Sequence, residues 1–185
     1  MTLSAAELVH ELSDRIPDFP KPGILFRDLT PVFADPDALR AVIDELLARF
    51  ADRFDAVAGV EARGFVLAAA AGFSAHVPVQ LIRKAGKLPG EVLRESYGLE
   101  YGEAAVELRP RQLAPGARVL LLDDLLATGG SCAASARLLE RAGYTVAGIG
   151  VVVELGALDG RSALADYDVE AILVEATEEW PPANG

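Results

Sequence analysis

The chain has 185 residues, 51% of them hydrophobic and 24% charged, a length and composition that bury one core and suit a single globular domain over 1–185. A net charge of −11 argues against a nucleic-acid or anionic-membrane surface, because such partners demand a basic face. The one cysteine cannot form an internal disulfide, and a chain this acidic can meet a polyanion only where its few cations are concentrated.

The start, MTLSAAELVHEL, carries Glu7 and Glu11 with no basic leader or long apolar run, so no secretory signal is visible and a cytoplasmic location is expected. Leu3–Leu12 reads as a short amphipathic helix and the proline-studded Pro17–Gly23 as an irregular connector. Over Ala34–Phe54 the spacing predicts a helix. Asp35 can cap it, Pro36 suits its first turn, and Leu39, Val42, Ile43, Leu46, Leu47 and Phe50 share one face. Ala56–Val60 reads as a strand, Phe65–Phe73 as a helix and Val77–Arg83 as a strand. The uncharged run Gly64–Ile82 is broken by Ser74, His76, Pro78 and Gln80, so no membrane span is expected there.

The stretch Lys84–Gly102 is rich in glycine and charge with little periodicity, which predicts a flexible loop. Ala104–Glu107 and Val119–Leu122 read as strands, Cys132–Ala142 as a helix, Val146–Val153 and Val169–Val174 as strands, and Glu178–Gly185 as a polar tail. Strands alternating with helices predict an α/β fold, a mostly parallel twisted sheet flanked by helices. Ligands of such sheets bind at the carboxyl ends of the strands. In this reading Glu61–Gly64, Arg83–Lys87 and Asp123–Ser131 all lie there.

The richest stretch is Val119–Ser131, VLLLDDLLATGGS: a buried strand, two adjacent carboxylates and a glycine-rich turn opening a helix. Free backbone N–H groups at a helix start favour an anion, and Gly129 and Gly130 let the backbone close around it, with Thr128 and Ser131 adding hydroxyls. Asp123 and Asp124 would repel a phosphate unless they face something neutral, such as vicinal sugar hydroxyls. Phosphate plus diol describes a ribose 5-phosphate. The same letters also fit an apolar strand ending in an acidic turn. Neither a G-x-x-x-x-G-K-[ST] motif nor a strand-following G-x-G-x-x-G is present, which disfavours the P-loop and dinucleotide folds. His10 and His76 have no ligand spacing, so a zinc site is not expected, and Cys132 reads as a small packing residue.

VLLLDDLLATGGS is similar to the phosphoribosyl pyrophosphate (PRPP) signature of type I phosphoribosyltransferases, and looks most like the version in the adenine-using members. PKPGILFRD at Pro20–Asp28, EARGF at Glu61–Phe65, RKAGKLPGE at Arg83–Glu91 and YGLEYG at Tyr97–Gly102 resemble further segments of that family in the same order, over about Pro20 to Leu155. The resemblance implies the family's sheet, a base-binding hood within 1–33 and a flexible active-site loop at 84–102. It implies that Asp123 and Asp124 grip the 2′ and 3′ hydroxyls and that Ala127, Thr128, Gly129, Gly130 and Ser131 hold the 5′-phosphate. Arg63, Gly64, Arg83, Lys84 and Lys87 would hold pyrophosphate. Two of the chain's three lysines stand in that last cluster, which otherwise fits a solvated charge run.

Leu25, Phe26 and Arg27 would meet the base, Phe26 by stacking and its neighbours through backbone groups, with Leu155 on the other side. As bare residues Phe26 and Leu155 also fit the core. Glu100, next to Tyr101, would bring a carboxylate to the purine N7. Mg²⁺ would bridge pyrophosphate and ribose oxygens, held mainly by PRPP and water rather than by a protein cage. Ala127 stands where hypoxanthine-guanine enzymes usually carry an Asp for a 6-oxopurine, so the resemblance favours adenine. Ser131 replaces a more typical Thr, and the approach Ala75–Ile82 departs from the usual pattern.

The expected activity is transfer of the phosphoribosyl group from PRPP to adenine, with a homodimer carried over from relatives. The alternatives are a xanthine or hypoxanthine transferase, or a non-catalytic nucleotide sensor on the same fold. Such sensors usually add a DNA-reading module, which this chain does not supply.

Overall fold

A computed structural model describes residues 3–19, 25–99 and 102–175 of the chain. The elements run α1 (Ala5–Leu12), β1 (Asp14–Pro17), β2 (Leu25–Asp28), α2 (Thr30–Ala34), α3 (Pro36–Arg49), β3 (Ala56–Val60), α4 (Gly64–Ala75), β4 (Val79–Lys84), β5 (Leu93–Leu99), β6 (Gly102–Leu108), β7 (Arg118–Leu126), α5 (Gly130–Arg141), β8 (Thr145–Leu155) and β9 (Val169–Glu175). Two 3₁₀ turns, Gly156–Leu158 and Gly160–Leu164, separate β8 from β9.

Seven strands form one sheet in the order β5-β6-β4-β3-β7-β8-β9. The five from β4 to β9 are parallel, while β6 runs antiparallel to both β4 and β5. Along β7 successive side chains enter opposite layers: Val119 and Leu121 pack with α5 residues such as Leu138 and Leu139, whereas Leu120 and Leu122 pack with Val42, Leu46 and Leu67 of α3 and α4. A strand covered on both faces must be apolar at every position, which is why β3 and β7 read as continuous hydrophobic runs. The product is the expected three-layer α/β sandwich.

The N-terminal segment adds a separate ribbon of β1 paired antiparallel with β2. Glu175, at the end of β9, ties it down: the carboxylate is ion-paired with Arg27 at 2.6 Å and faces Arg15 at 3.6 Å. Ahead of the ribbon, α1 opens with a capping box in which Ser4 and Glu7 satisfy each other's backbone N–H groups.

Several boundaries differ from the sequence reading. The helix expected over Ala34–Phe54 ends at Arg49, and Asp35 both closes α2 and caps α3, accepting from the Asp37 and Ala38 N–H groups. Lys84–Gly102 is not wholly loop: its second half is β5, paired with β6 throughout. The strand expected to stop at Leu122 continues to Leu126, so both aspartates belong to β7 itself.

Candidate active site

Where the chain leaves β3, the sheet order reverses between β4 on one side and β7 on the other, and an open α/β sheet forms its crevice at such a point. Two adjoining cavities occupy it. One, of about 390 Å³, is lined by Glu61, Ala62, Arg63, Lys84, Asp123 and Asp124 among others. The second, of about 170 Å³, is enclosed by Leu125–Ser131. Tyr97 and Ser131 line both and form their common wall.

Asp123 and Asp124 are buried, and the Asp124 N–H donates to Asp123 Oδ1 at 3.0 Å. Burial, reinforced by the neighbouring Asp124 charge, pushes the Asp123 carboxyl well above the usual carboxylate range. Asp124 is ion-paired with Nε of Arg63, the residue that opens α4. The Arg63 guanidinium in turn lies 5.4 Å from the Phe26 ring centroid, and Phe19 meets that ring edge-on at 5.1 Å. Sheet, helix start and ribbon therefore meet at one arginine. Gly64 permits this closeness, since a Cβ there would stand 2.8 Å from the Leu122 carbonyl oxygen and 3.1 Å from Asp123 Oδ1.

The basic cluster is more divided than its spacing predicts. Arg83 donates to both Glu61 oxygens at 3.3 Å and to the Lys87 carbonyl at 2.9 Å, so its guanidinium braces the turn after β4 instead of standing free for an anion. Burial raises the Glu61 pKa, but the Lys84 N–H at 2.9 Å and the Arg83 guanidinium outweigh it and hold the carboxyl below its ordinary value. Lys84 and Lys87 are both exposed, and of the two only Lys84 lines the larger cavity.

Around the smaller cavity, Gly129 adopts a left-handed φ of 79° and α5 begins at Gly130, so the Ala127–Ser131 backbone turns its free N–H groups to a helix start. Cys132 is fully buried there; burial first, then Asp123, raises its thiol far above the usual range, which makes it a packing residue.

On the base side, Phe26 is half-buried beside Arg63, and Leu25 pairs with Pro17 through the ribbon backbone. The Arg27 side chain is committed to Glu175, so only its backbone is left for a ligand. Leu155 is 4% exposed and belongs to the core cluster on the α3 and α4 side of the sheet. Glu100 and Tyr101 lie outside the described residues, as do residues 20–24.

The structure thus gathers Arg63, Lys84, Asp123 and Asp124 around one cavity and Ala127–Ser131 around the other, while Arg83 pairs with Glu61, Arg27 with Glu175, and Leu155 lies in the core. Sequence reasoning missed Tyr97, whose hydroxyl is held above its usual pKa by burial and by Asp123. The alternation of half-buried Leu93, Glu95 and Tyr97 with exposed Arg94, Ser96 and Gly98 was the signal available. Among the described residues no three His, Cys, Asp or Glu side chains gather as a metal cage, and no helix is long and apolar enough to cross a membrane.

The phosphoribosyl transferase domain family matches residues 34–182. The adenine phosphoribosyltransferase of Clavibacter michiganensis subsp. michiganensis is 69% identical over 169 residues, covering 91% of this chain and 96% of that protein. Among solved structures, the adenine phosphoribosyltransferase of Thermoanaerobacter pseudethanolicus superposes with a TM-score of 0.88 at 42% identity, covering 92% of this chain and 99% of the other. The Giardia lamblia enzyme, complexed with 9-deazaadenine, superposes with a TM-score of 0.87 at 39% identity over 95% of this chain and 99% of its own.

Proposed function

The chain belongs to the phosphoribosyltransferase family and, within it, to the adenine phosphoribosyltransferases, and from that premise we propose how its site moves the 5-phosphoribosyl group from PRPP to adenine. Adenine N9 forms a bond to C1 of the ribose as the C1–oxygen bond to pyrophosphate breaks, giving AMP, pyrophosphate and the proton that adenine loses. The observation that carries this reading is a turn of free backbone N–H groups sharing a wall with a buried carboxylate pair.

The 5′-phosphate belongs in the smaller cavity, whose Ala127, Thr128, Gly129, Gly130 and Ser131 supply amides and hydroxyls at the positive end of α5. Asp123 and Asp124 accept from the 2′ and 3′ hydroxyls; a neutral diol is the partner a buried carboxylate pair tolerates best. Lys84 and Arg63 face the pyrophosphate, and Arg83 acts through Glu61 and the Lys87 carbonyl by shaping the turn that carries Lys84. Phe26 stacks on the base, with backbone groups of Leu25 and Arg27 at its edge. The 9-deazaadenine of the Giardia enzyme supports an adenine-shaped base site, and Ala127 suits a 6-amino purine. A mismatched exocyclic group would leave a buried polar atom unpaired at about 1–3 kcal/mol.

The transition state is loose and cationic at the sugar, so positioned charge dominates the rate. Glu100 is assigned the exchange of the purine N7 proton. The carboxylate oxygens of Asp123 and Asp124 that line the larger cavity would suit a hard cation, and Mg²⁺ arriving with PRPP would be held mainly by the substrate and water. When bound it neutralises charge on the departing pyrophosphate.

Two copies pair in this reading. Helix α4 is apolar nearly all round, yet Val66, Ala69 and Phe73 share a solvent-facing stripe and Phe73 is 91% exposed. A groove beside it runs between α3 and α4, walled by Leu39, Ile43 and Ala70 and edged by Arg40 and Asp44. A protruding ring, a groove and both charges on one face make a self-complementary surface of the kind two-fold dimers use. A single buried thiol suits the reducing cytoplasm.

The test is pyrophosphate release from PRPP with adenine, hypoxanthine, guanine and xanthine offered separately. Turnover with adenine is expected. Turnover with 6-oxopurines alone overturns the base assignment, and tight PRPP binding without turnover makes the protein a sensor.

A further inference from the structure

The backbone of the second 3₁₀ turn, which lines neither cavity, lies directly against the Ala127–Ser131 loop. A Cβ on Gly160 would stand 2.2 Å from the Ala127 carbonyl oxygen and 3.0 Å from Leu126 Cγ. The fit is reciprocal, since a Cβ on Gly129 would stand 2.4 Å from the Gly160 carbonyl oxygen and 3.0 Å from Ala163 Cβ. Two backbones thus interlock with no side chain between them, and whatever fixes residue 160 fixes the floor beneath residues 127–129.

Residue 160 is firmly held. The neighbouring Arg161 donates through Nε to both oxygens of the buried Glu154 at 2.9 Å, and through Nη1 to the Val169 carbonyl at 2.8 Å, anchoring the turn to the ends of β8 and β9. Asp159 enters the turn with a left-handed φ of 49°, and its carboxylate accepts from Ser162 Oγ at 2.7 Å. Leu164 closes the turn in the core, 1% exposed. A surface connection has little need for a bidentate ion pair, a side-chain clamp and a buried leucine over six residues. A floor under converging amides needs that stiffness, because donors pointed at one phosphate lose their convergence when the backbone shifts by a fraction of an ångström.

We propose that Gly160 is a positioning residue for the 5′-phosphate, setting the height of Ala127–Ser131, and that the Arg161–Glu154 pair holds it there. This rests on the assignment of that loop to the 5′-phosphate. The closest approaches of Gly160 are to Leu126, Ala127 and Gly129, which line the smaller cavity and not the larger one, so its effect falls on the phosphoryl end of the ligand.

AMP and adenosine differ only in that group, so titrating both by calorimetry isolates it. In Gly160→Ala and Arg161→Gln the AMP affinity falls about tenfold, while adenosine stays within about twofold, the loss expected for a sub-ångström misalignment. Arg161→Lys recovers part of the AMP affinity. Equal losses for both ligands, or no loss in either, overturn the proposal; if Gly160→Ala fails to fold, Arg161→Gln and Arg161→Lys decide it. A double variant, Thr128→Ala with Ser131→Ala, separates the two levels. Should the unaltered protein bind adenosine as tightly as AMP, or the double variant keep full preference for AMP, the loop's assignment is wrong. Should the double variant lose that preference while Gly160→Ala and Arg161→Gln retain it, only the role of Gly160 is wrong.

Discussion

Replacing Gly64 by Ala adds one carbon where α4 starts against β7, and its effect can be worked from the contacts. The new Cβ meets the Leu122 carbonyl oxygen at 2.8 Å, and ordinary contact begins near 3.4 Å. Leu122 pairs with Gly59 on one side and Gly150 on the other, so β7 cannot retreat and the helix start must recede. The required movement is about 0.6 Å, and overpacking of this kind costs about 1–3 kcal/mol. Gly64 has no positive φ but is the first residue of α4, where alanine's helix preference returns only about half a kcal/mol, and the net loss is about 1–2 kcal/mol. For a chain of this length that lowers Tm by about 2–8 °C. The same displacement moves Arg63 relative to Asp124 and Phe26, and a half-ångström error among positioned groups lowers kcat/KM about tenfold. Differential scanning calorimetry and steady-state kinetics with PRPP and adenine read both effects. A Gly64→Ala protein that melts at the original temperature with unchanged kcat/KM refutes the reasoning that this contact sets the geometry of the site.

Asp123→Asn separates stability from function. Burial and Asp124 raise the Asp123 pKa in the folded protein above its unfolded value, so its contribution to stability is complete below the unfolded pKa and is lost as pH rises toward the folded one. The amide cannot ionise. Asp123→Asn therefore melts no lower than the original at neutral pH, the gap closing below the ordinary carboxylate range, while PRPP turnover falls sharply; melting curves across pH with parallel kinetics check both. Glu175→Gln removes the charged partner of buried Arg27, lowering stability by about 2–3 kcal/mol and raising KM for adenine more than KM for PRPP as the ribbon loosens, measured by chemical denaturation and kinetics. Phe73→Glu puts a charge at the end of the α4 stripe, and the proposed pairing predicts that the mass by light scattering falls from two copies to one; a mass that is the same before and after the substitution overturns the assignment of pairing to this face.

The fold was legible where burial was one-sided or complete. Ala56–Val60 and Val119–Leu122 are apolar because both faces are covered, and α3 shows its period because one face meets the sheet. β1 was not legible: all four of its residues are exposed, so no alternation marks it. β5 was hidden for a different reason. Its covered position Glu95 is charged, satisfied by Arg137 at 2.9 Å and Arg141 at 2.6 Å, so a strand with a buried side reads as polar loop. Tyr97 vanished with it.

At the site, local motifs predicted what local backbone builds: the Ala127–Ser131 turn, the aspartate pair and the helix start after Arg63. Partnerships across long separations left no mark on the letters. Arg27 meets Glu175 from the far end of the sheet, Arg83 is claimed by Glu61, and Gly129 fits against Gly160 only because 3₁₀ geometry brings them together.

The central claim is that the backbone turn after β7 takes the 5′-phosphate while the adjoining aspartates take the sugar. A crystal structure with AMP bound tests it directly. The account predicts the phosphoryl group within hydrogen-bond distance of the Ala127–Ser131 amides and the 2′ and 3′ hydroxyls on Asp123 and Asp124. Density for the phosphate against Arg63 and Lys84, with the turn empty, contradicts it.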